Sequence, residues 1–135
     1  VSLRQNSRSG GNGGFVYKMT FNGTNSNCSS KILRGSGSSV TSYSDTSIIF
    51  FGTASDTTSN IFGSASLYVP NYASSNFKSV SLDSAQENNA TTAHSGIAAG
   101  LWSDTSPVTS IKLEGLFADS LVQYSTASLY GIKYD

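Results

Sequence analysis

"FVYKMTF", residues 15–21, is the stretch that decides the fold class of this chain. Its aromatic and long apolar side chains recur at every second position, which is the period of a β-strand with one buried face. The dipeptide Asn22-Gly23 follows at once and favours a tight turn. The stretch therefore predicts a half-buried strand that ends in a turn.

The same period of two recurs along the rest of the chain, in short segments separated by turn residues. Between residues 83 and 95 the pattern allows at most two helical turns. This spacing predicts an all-β fold, a single antiparallel β-sandwich of jelly-roll-like type. Further strands are expected in residues 28–34, 38–43, 47–51, 61–69, 77–82, 96–102, 108–113 and 125–132.

The composition indicates one folded domain with little charge. Charged residues make up 12% of the 135 residues, against roughly 25% in ordinary soluble domains, and the formal net charge is zero. Nothing in the sequence therefore favours nucleic acid or an anionic membrane as a partner, and no apolar run is long enough for a membrane span. We predict a single domain over residues 1–135. A sequence that begins with Val1 rather than methionine also fits a segment of a longer protein.

Residues suited to catalysis are few. His94 is the only histidine and Cys28 the only cysteine. A lone histidine outside a motif is most simply a polar surface or capping residue, and a lone cysteine a small buried side chain. Asp83 and Glu87 leave open a pair of glycosidase carboxylates, whose separation decides that chemistry. We expect no catalytic residue, no metal and no cofactor.

Three loops share an acidic turn motif, at residues 44–47, 55–58 and 103–106. An aspartate followed by serine or threonine can accept a hydrogen bond from the backbone two residues on, which closes a turn locally. Calcium binding is the alternative, but calcium requires six or more oxygen ligands. The motif therefore favours turns over a metal site.

The tetrapeptide ASLY occurs twice, at residues 65–68 and 127–130. The flanking residues do not repeat at the same spacing, so a duplicated unit is not indicated. We predict two strands with a similar role, each with its leucine facing the core and its tyrosine facing the other side. Trp102 ends a run of small residues and is predicted to be buried, with a partner for its N–H, rather than to form a sugar platform. The predicted core residues are Trp102, Ile111, Leu113, Leu129 and Ile132.

Several short segments, in this order and spacing, resemble a β-sandwich module that recurs in virion proteins of tailed bacteriophages, marine ones especially. They include LYVPNY (67–72), ENNAT (87–91), AGLW (99–102), TSIKL (109–113), VQYS (122–125) and LYGI (129–132). The chain departs from that module in its longer loop EGLFADSL (114–121) and in Cys28, where a tyrosine is common. The resemblance implies a non-enzymatic part of a tail fibre, spike or capsid surface, and it carries over no catalytic residue.

From the resemblance we expect a location on the virion surface and a role in attachment to a host-surface glycan. The alternative is a capsid decoration, cement or fibre-shaft module that works through assembly with other virion proteins; a glycan depolymerase is a distant third possibility. The resemblance also implies a homotrimer, and strand edges without lysines favour pairing between subunits. The candidate ligand-binding residues are Tyr43, Tyr68, Tyr72 and Tyr124.

Overall fold

The computed structural model describes residues 1–5, 15–53, 58–87, 93–116 and 120–132. Within these ranges the chain forms β-strands and no helix, so the predicted all-β fold is confirmed. The strands are β1 (Ser2–Leu3), β2 (Phe15–Phe21), β3 (Cys28–Gly35), β4 (Val40–Asp45), β5 (Ile48–Gly52), β6 (Gly63–Tyr68), β7 (Lys78–Gln86), β8 (His94–Trp102) and β9 (Ile111–Gly115).

Two antiparallel sheets pack face to face, as predicted for a β-sandwich. The larger sheet has six strands in the order β1-β6-β7-β8-β3-β4, and the smaller has three in the order β5-β2-β9. Strand β5 lies against β6, β7 and β8 of the larger sheet. All five of its residues are buried, because its continuous apolar run has protein on both sides.

The predicted strand at residues 15–21 forms as β2, and its alternation sets the core. Tyr17, Met19 and Phe21 are buried, and the ring of Tyr17 stacks on Phe50 of β5 with a centroid distance of 5.4 Å. The phenolic O–H of Tyr17 donates to the backbone carbonyl of Thr53 at 3.1 Å. The polar end of this core tyrosine is therefore satisfied without exposure to water.

Glycines in β8 let the two sheets approach closely. A Cβ atom at Gly100 would lie 2.7 Å from Val80 Cγ2 and 2.8 Å from Ile48 Cγ2. At Gly96 it would lie 2.6 Å from the ring of Phe51. Since real Cβ atoms do not approach other atoms this closely, any larger residue would push the sheets apart.

The predicted core residues have different locations in the structure. Trp102 is buried, with its ring centroid 5.3 Å from that of Phe21, and its N–H has no hydrogen-bond partner among the described residues. Leu113 is half-buried and packs on the core, whereas the core prediction is wrong for Ile111, which is 36% exposed at the start of the edge strand β9. For Leu129 and Ile132 the prediction is wrong, because they are 83% and 70% exposed. Their segment forms no strand after Thr126, so no sheet places those side chains over the core.

The stretch between residues 83 and 95, where the sequence pattern allows at most two helical turns, is mostly strand where the structure describes it. Strand β7 continues to Gln86, and β8 begins at His94. Residues 88–92, between them, lie outside the described ranges. The alternation of buried and exposed residues in β7 is regular over all nine positions, which identifies Lys78 and Gln86 as inward-facing despite their polarity.

Candidate functional site

The side of the six-stranded sheet that faces away from β5 carries an open depression of about 690 Å³. Its floor is the backbone of β3, β8, β7 and β6, and we call its outward-pointing side chains the outer face. The outer face consists of Lys31, Leu33, Ser42, Ser66, Tyr68, Ser81, Asp83, Ile97 and Ala99.

Strand register arranges the outer face in rows across the sheet. One row runs from Ser42 through Leu33, Ile97 and Asp83 to Ser66. The next row runs from Ser44 through Lys31, Ala99 and Ser81 to Tyr68. Residues paired directly across antiparallel strands point to the same side, so these apolar, hydroxyl and charged groups share one continuous surface.

Large apolar side chains are exposed at the centre of this surface. Ile97 is 59% exposed and Leu33 46%, and they are direct cross-strand neighbours. Tyr68 is 53% exposed at the β6 end of the depression. Leu33 and Ile97 thus form a small contiguous apolar patch rimmed by polar groups, a feature that suits a binding surface.

Two charges of opposite sign line the depression. The Lys31 ammonium donates to Ser44 Oγ at 2.6 Å, which holds it beside the edge strand β4. Asp83 is exposed in the row of Ile97. The outer face is thus neutral as a whole, and its chemistry suits a ligand with apolar faces and many hydroxyl groups rather than an anion or a cation.

The four candidate tyrosines do not form a common site. Only Tyr68 lines the depression. Tyr43 is paired with the inward-facing Ile32, so it points to the opposite side of the sheet, and four inter-strand spacings of about 19 Å in total separate β4 from β6. Burial raises the pKa of Tyr43, the Arg34 charge opposes this shift, and Asp45 adds to it. Tyr72 lies in the turn after β6, and Tyr124 lies beyond β9.

The possible carboxylate pair is too widely spaced for glycoside hydrolysis. Asp83 lies within β7 and Glu87 directly follows it, four residues further on. At the usual rise of an extended strand this separation is about 13 Å, against the roughly 5–9.5 Å between the paired carboxylates of glycosidases. The two side chains therefore do not flank one glycosidic bond in this structure.

The expectation that His94 is a surface or capping residue is wrong. His94 is buried on the inner side of β8, with its ring centroid 5.9 Å from that of Phe51. It shares the face of Ala98 and Trp102, because positions two apart on a strand point the same way. Counting back along β8 from the buried Trp102 in steps of two residues would have placed His94 on the buried face.

Cys28 is half-buried and packs against the core, and its Sγ–H donates to the carbonyl of Ser26 at 3.6 Å. Burial raises the pKa of this thiol above its ordinary value. The thiolate is the reactive form of cysteine, so the shift disfavours a nucleophilic role.

Two of the acidic loops form the predicted turns. The Ser47 N–H donates to Asp45 Oδ1 at 2.7 Å, and the Ser106 N–H donates to Asp104 Oδ1 at 2.7 Å. Hydrogen bonds from Ser106 hold the pKa of Asp104 below its ordinary value. Most of the third loop, residues 55–58, lies outside the described ranges, and the described residues contain no cluster of three or more potential metal ligands.

Sequence reasoning missed most of the outer face. Alternation in residues 96–102 separates Ile97 and Leu101 from Trp102, but both sides of β8 carry apolar residues. Period-two patterning alone therefore could not tell the buried side from the exposed one. The signal that could have helped is the set of serines on the neighbouring strands, Ser66, Ser81 and Ser42, which share the side of Ile97.

Comparisons with protein-family models, with curated proteins and with solved structures find no match to this chain. The described residues also include no helix that is long and apolar enough to cross a membrane.

Proposed function

We propose that this chain is a non-enzymatic recognition module on a virion surface, part of a tail fibre or spike, and that its outer face binds a host-surface glycan. One observation carries the glycan-binding part of the proposal. An open depression on a sheet of six strands exposes Leu33 and Ile97 as direct neighbours and Tyr68 two strands away, together with serine hydroxyls. The virion location is supported only by the sequence resemblance.

The physical match between this surface and a sugar is direct. A pyranose ring presents C–H groups on its faces and hydroxyls around its rim. The Tyr68 ring and the Ile97 side chain, which lie on strands separated by β7, each offer apolar contact to such a face, while Ser66 and Ser81 offer hydroxyl donors and acceptors. A site built on paired strands positions these groups with little loss of conformational entropy on binding.

A neutral glycan fits better than a charged one. Lys31 and Asp83 balance each other within the depression, and the chain as a whole has no net charge. Long-range electrostatic steering therefore contributes little to binding, and single-site affinity would be weak. Attachment would then depend on several linked copies, which is the reason to propose a homo-oligomer. Three-fold symmetry is implied by the resemblance alone.

The second candidate function is assembly on a capsid or fibre shaft, and one observation favours it. Leu129, Tyr130 and Ile132 near the C-terminus are each at least 70% exposed. Exposed apolar residues in such a segment suit contact with a neighbouring subunit. On that alternative, subunit contacts would be the whole role and the outer face would have no ligand.

Binding of neutral oligosaccharides to matched variants tests the proposal. Hexasaccharides of glucose, galactose and mannose would be titrated against the wild-type chain, Ile97→Ser and Val40→Ser. Val40 is an exposed apolar strand residue outside the depression, so it controls for loss of apolar surface. We expect Ile97→Ser to weaken binding at least about tenfold and Val40→Ser to leave it unchanged. Equal binding by both variants, or no binding to any sugar of the panel, contradicts the proposed glycan site.

A further inference from the structure

Strand β4 is the last strand of the six-stranded sheet, at the end opposite β1. It pairs with β3, and among the described residues no strand lies on its other side, which we call the β4 edge. The side chains of residues 40–44 are all exposed, although they alternate between the two sides of the sheet. An outermost strand presents a row of backbone N–H and C=O groups that can pair with another strand.

The β3–β4 hairpin shows which backbone groups point to the β4 edge. The Ser36 N–H donates to the Ser39 carbonyl at 2.9 Å, so the backbone groups of Ser39 face β3. In an antiparallel ladder, residues that face the neighbouring strand alternate with residues that face away from it. Counting on from Ser39, the β4 edge receives the backbone groups of every second residue: Val40, Ser42 and Ser44.

Both ends of β4 turn away from this edge. One end is the tight turn at residues 36–39, which leads back to β3. At the other end the chain folds beneath β3, where the Ser30 hydroxyl donates to the Ser47 carbonyl at 2.7 Å and Asn25 Nδ2 donates to Ser47 Oγ at 2.9 Å. Ser30 and Ser47 are both buried. The chain therefore leaves β4 towards the core and does not cross the β4 edge.

The composition of β4 does not oppose pairing with another strand. Residues 40–44 contain no charged residue and no proline, which are the features that protect many edge strands. Asp45 is engaged within its own turn, where its Oδ1 accepts the Ser47 N–H at 2.7 Å. Lys31 lies on the neighbouring strand, and its ammonium is held by Ser44 Oγ.

We propose that β4 pairs with β4 of a second copy of this chain, antiparallel about a two-fold axis at Ser42. This register places Ser42 opposite Ser42 of the second copy, and Val40 opposite Ser44. Each of the three resulting pairs exchanges two backbone hydrogen bonds, six in all. A shift of two residues in either direction would leave one of the three residues opposite a residue outside the strand. The strand is thus complementary to itself, which identifies the occupant as a second copy.

The same register opposes compatible side chains. On the inner side of the sheet, Tyr43 lies opposite Thr41 of the second copy, and aromatic and β-branched residues form favourable cross-strand pairs. On the outer side, Val40, which is 72% exposed in the single chain, gains a neighbour in Ser44 of the second copy. Since residues 40–44 are uncharged, no like charges oppose each other within the paired strands.

Pairing through β4 places both outer faces on the same side of one continuous sheet, because directly opposed residues of antiparallel strands point the same way. The row that contains Ile97 and Leu33 runs through Ser42 into the same row of the second copy. The two Leu33 residues then lie three inter-strand spacings apart, about 14 Å. The dimer therefore presents two outer faces to one opposing surface, which strengthens attachment by effective concentration.

The β4 dimer goes beyond the proposed function, since strand pairing requires no glycan. Each copy contributes one β4 edge, so the contact closes at two copies and leaves no edge for a third. A monomer or a trimer would overturn the β4 dimer while leaving the proposed glycan site standing. Loss of glycan binding in an intact dimer would have the reverse meaning.

Light scattering behind a sizing column tests the dimer on the full chain. We expect wild type at high micromolar concentration to have twice the 14.1 kDa mass of one chain. Ser42→Pro should halve the mass, because it removes the N–H at the centre of the new ladder. That N–H faces away from β3, so the single chain loses no internal hydrogen bond. The control Ser42→Thr keeps the N–H and should remain dimeric. A wild type that is not dimeric, or a dimeric Ser42→Pro, overturns the proposal.

Cross-linking tests the register without a proline in the strand. In a Cys28→Ser background, Ser42→Cys should form a disulfide-linked dimer under mild oxidation, because the Cα atoms of a hydrogen-bonded pair lie about 5.5 Å apart, within disulfide range. Ser44→Cys is the matched control, equally exposed on the same side of β4. Its counterpart in the second copy lies four residues further along, about 13 Å away, so it should cross-link far less. Equal cross-linking of the two variants, or none by Ser42→Cys, contradicts the proposed register.

Discussion

The ammonium of Lys78 lies 5.2 Å from the ring centre of Trp102, and both side chains are 1% exposed. The two residues are direct cross-strand partners, Lys78 at the start of β7 and Trp102 at the end of β8. The ammonium also donates to the backbone carbonyl of Asp104 at 3.3 Å and to that of Ser106. A buried cation is thus held by an aromatic face and by the loop after β8, which is how a lysine is accommodated at an inward-facing position.

Trp102→Ala should lower the free energy of unfolding by about 3–5 kcal/mol, because it removes the aromatic side chain that packs on Phe21 and leaves a cavity. Trp102→Phe should cost less, since the indole N–H has no partner among the described residues and a phenyl ring keeps the aromatic face. Urea unfolding, monitored by circular dichroism, measures the stability of both variants. Equal stability of wild type and Trp102→Ala would contradict the packing described for this residue.

Lys78→Met retains much of the apolar stem but loses the charged hydrogen bonds to the loop at residues 104–106. We expect a loss of about 1.5–3 kcal/mol in unfolding free energy, the usual contribution of hydrogen bonds to a charged group. The same substitution at the exposed Lys31 is the control and should stay within about 0.5 kcal/mol of wild type. A Lys78→Met protein as stable as this control would show that the buried ammonium contributes nothing.

Gly100→Ala should destabilise the fold by about 1–3 kcal/mol, because the added Cβ would overlap Val80 and Ile48 between the sheets. Gly35→Ala is the matched strand control, since its Cβ would meet nothing closer than a carbonyl oxygen at 3.9 Å. Thermal unfolding of the two variants side by side distinguishes overpacking from a general effect of glycine replacement. A smaller loss at Gly100 than at Gly35 would contradict the close approach of the sheets.

Glu114 gives the fold a defined acid dependence. Its carboxylate lies 2.6 Å from Lys112 and 3.1 Å from Lys18, and the hydrogen bond from Lys112, aided by Lys18 and opposed by partial burial, holds its pKa below the ordinary value. A lowered folded-state pKa stabilises the fold fully above the pKa of the unfolded chain, and this contribution is lost as pH falls through the folded-state pKa.

Glu114→Gln should therefore be less stable than wild type at neutral pH, by about 0.5–1 kcal/mol for a pair near the surface. The difference should disappear in acid, where the wild-type carboxylate is protonated and therefore as uncharged as the glutamine. Urea unfolding of both proteins from neutral to acidic pH measures this difference in the free energy of unfolding. A gap of constant size at all pH values would mean that the ion pairs are not its cause.

Strand β8 shows why the fold class was predictable from the sequence and the site was not. Alternation and turn residues identify a strand from local sequence, because side-chain direction has a period of two whatever the strand packs against. Which side is covered depends on β5, which lies against β8 although more than forty residues separate them in sequence. Ile97 and Trp102 look equally suitable for a core until that contact is known.

At Leu129 the sequence predicts a strand that the structure does not contain. The alternation in residues 125–132 is that of a strand, yet the structure gives the segment no partner beyond Thr126. Strand propensity is realised only when a neighbouring strand completes the ladder, and no described residue pairs with this segment beyond Thr126. Local alternation indicates that the segment can form a strand, but it does not show whether another strand pairs with it.

Mapping of backbone amide shifts by NMR tests most directly whether the outer face is a recognition surface. A ¹⁵N-labelled chain would be titrated with the neutral hexasaccharide that binds best. We expect shifts confined to residues 31–33, 66–68, 81–83 and 97–99, which line the depression together. Shifts centred on residues 127–132 or on the three-stranded sheet, with the depression unaffected, would contradict this expectation.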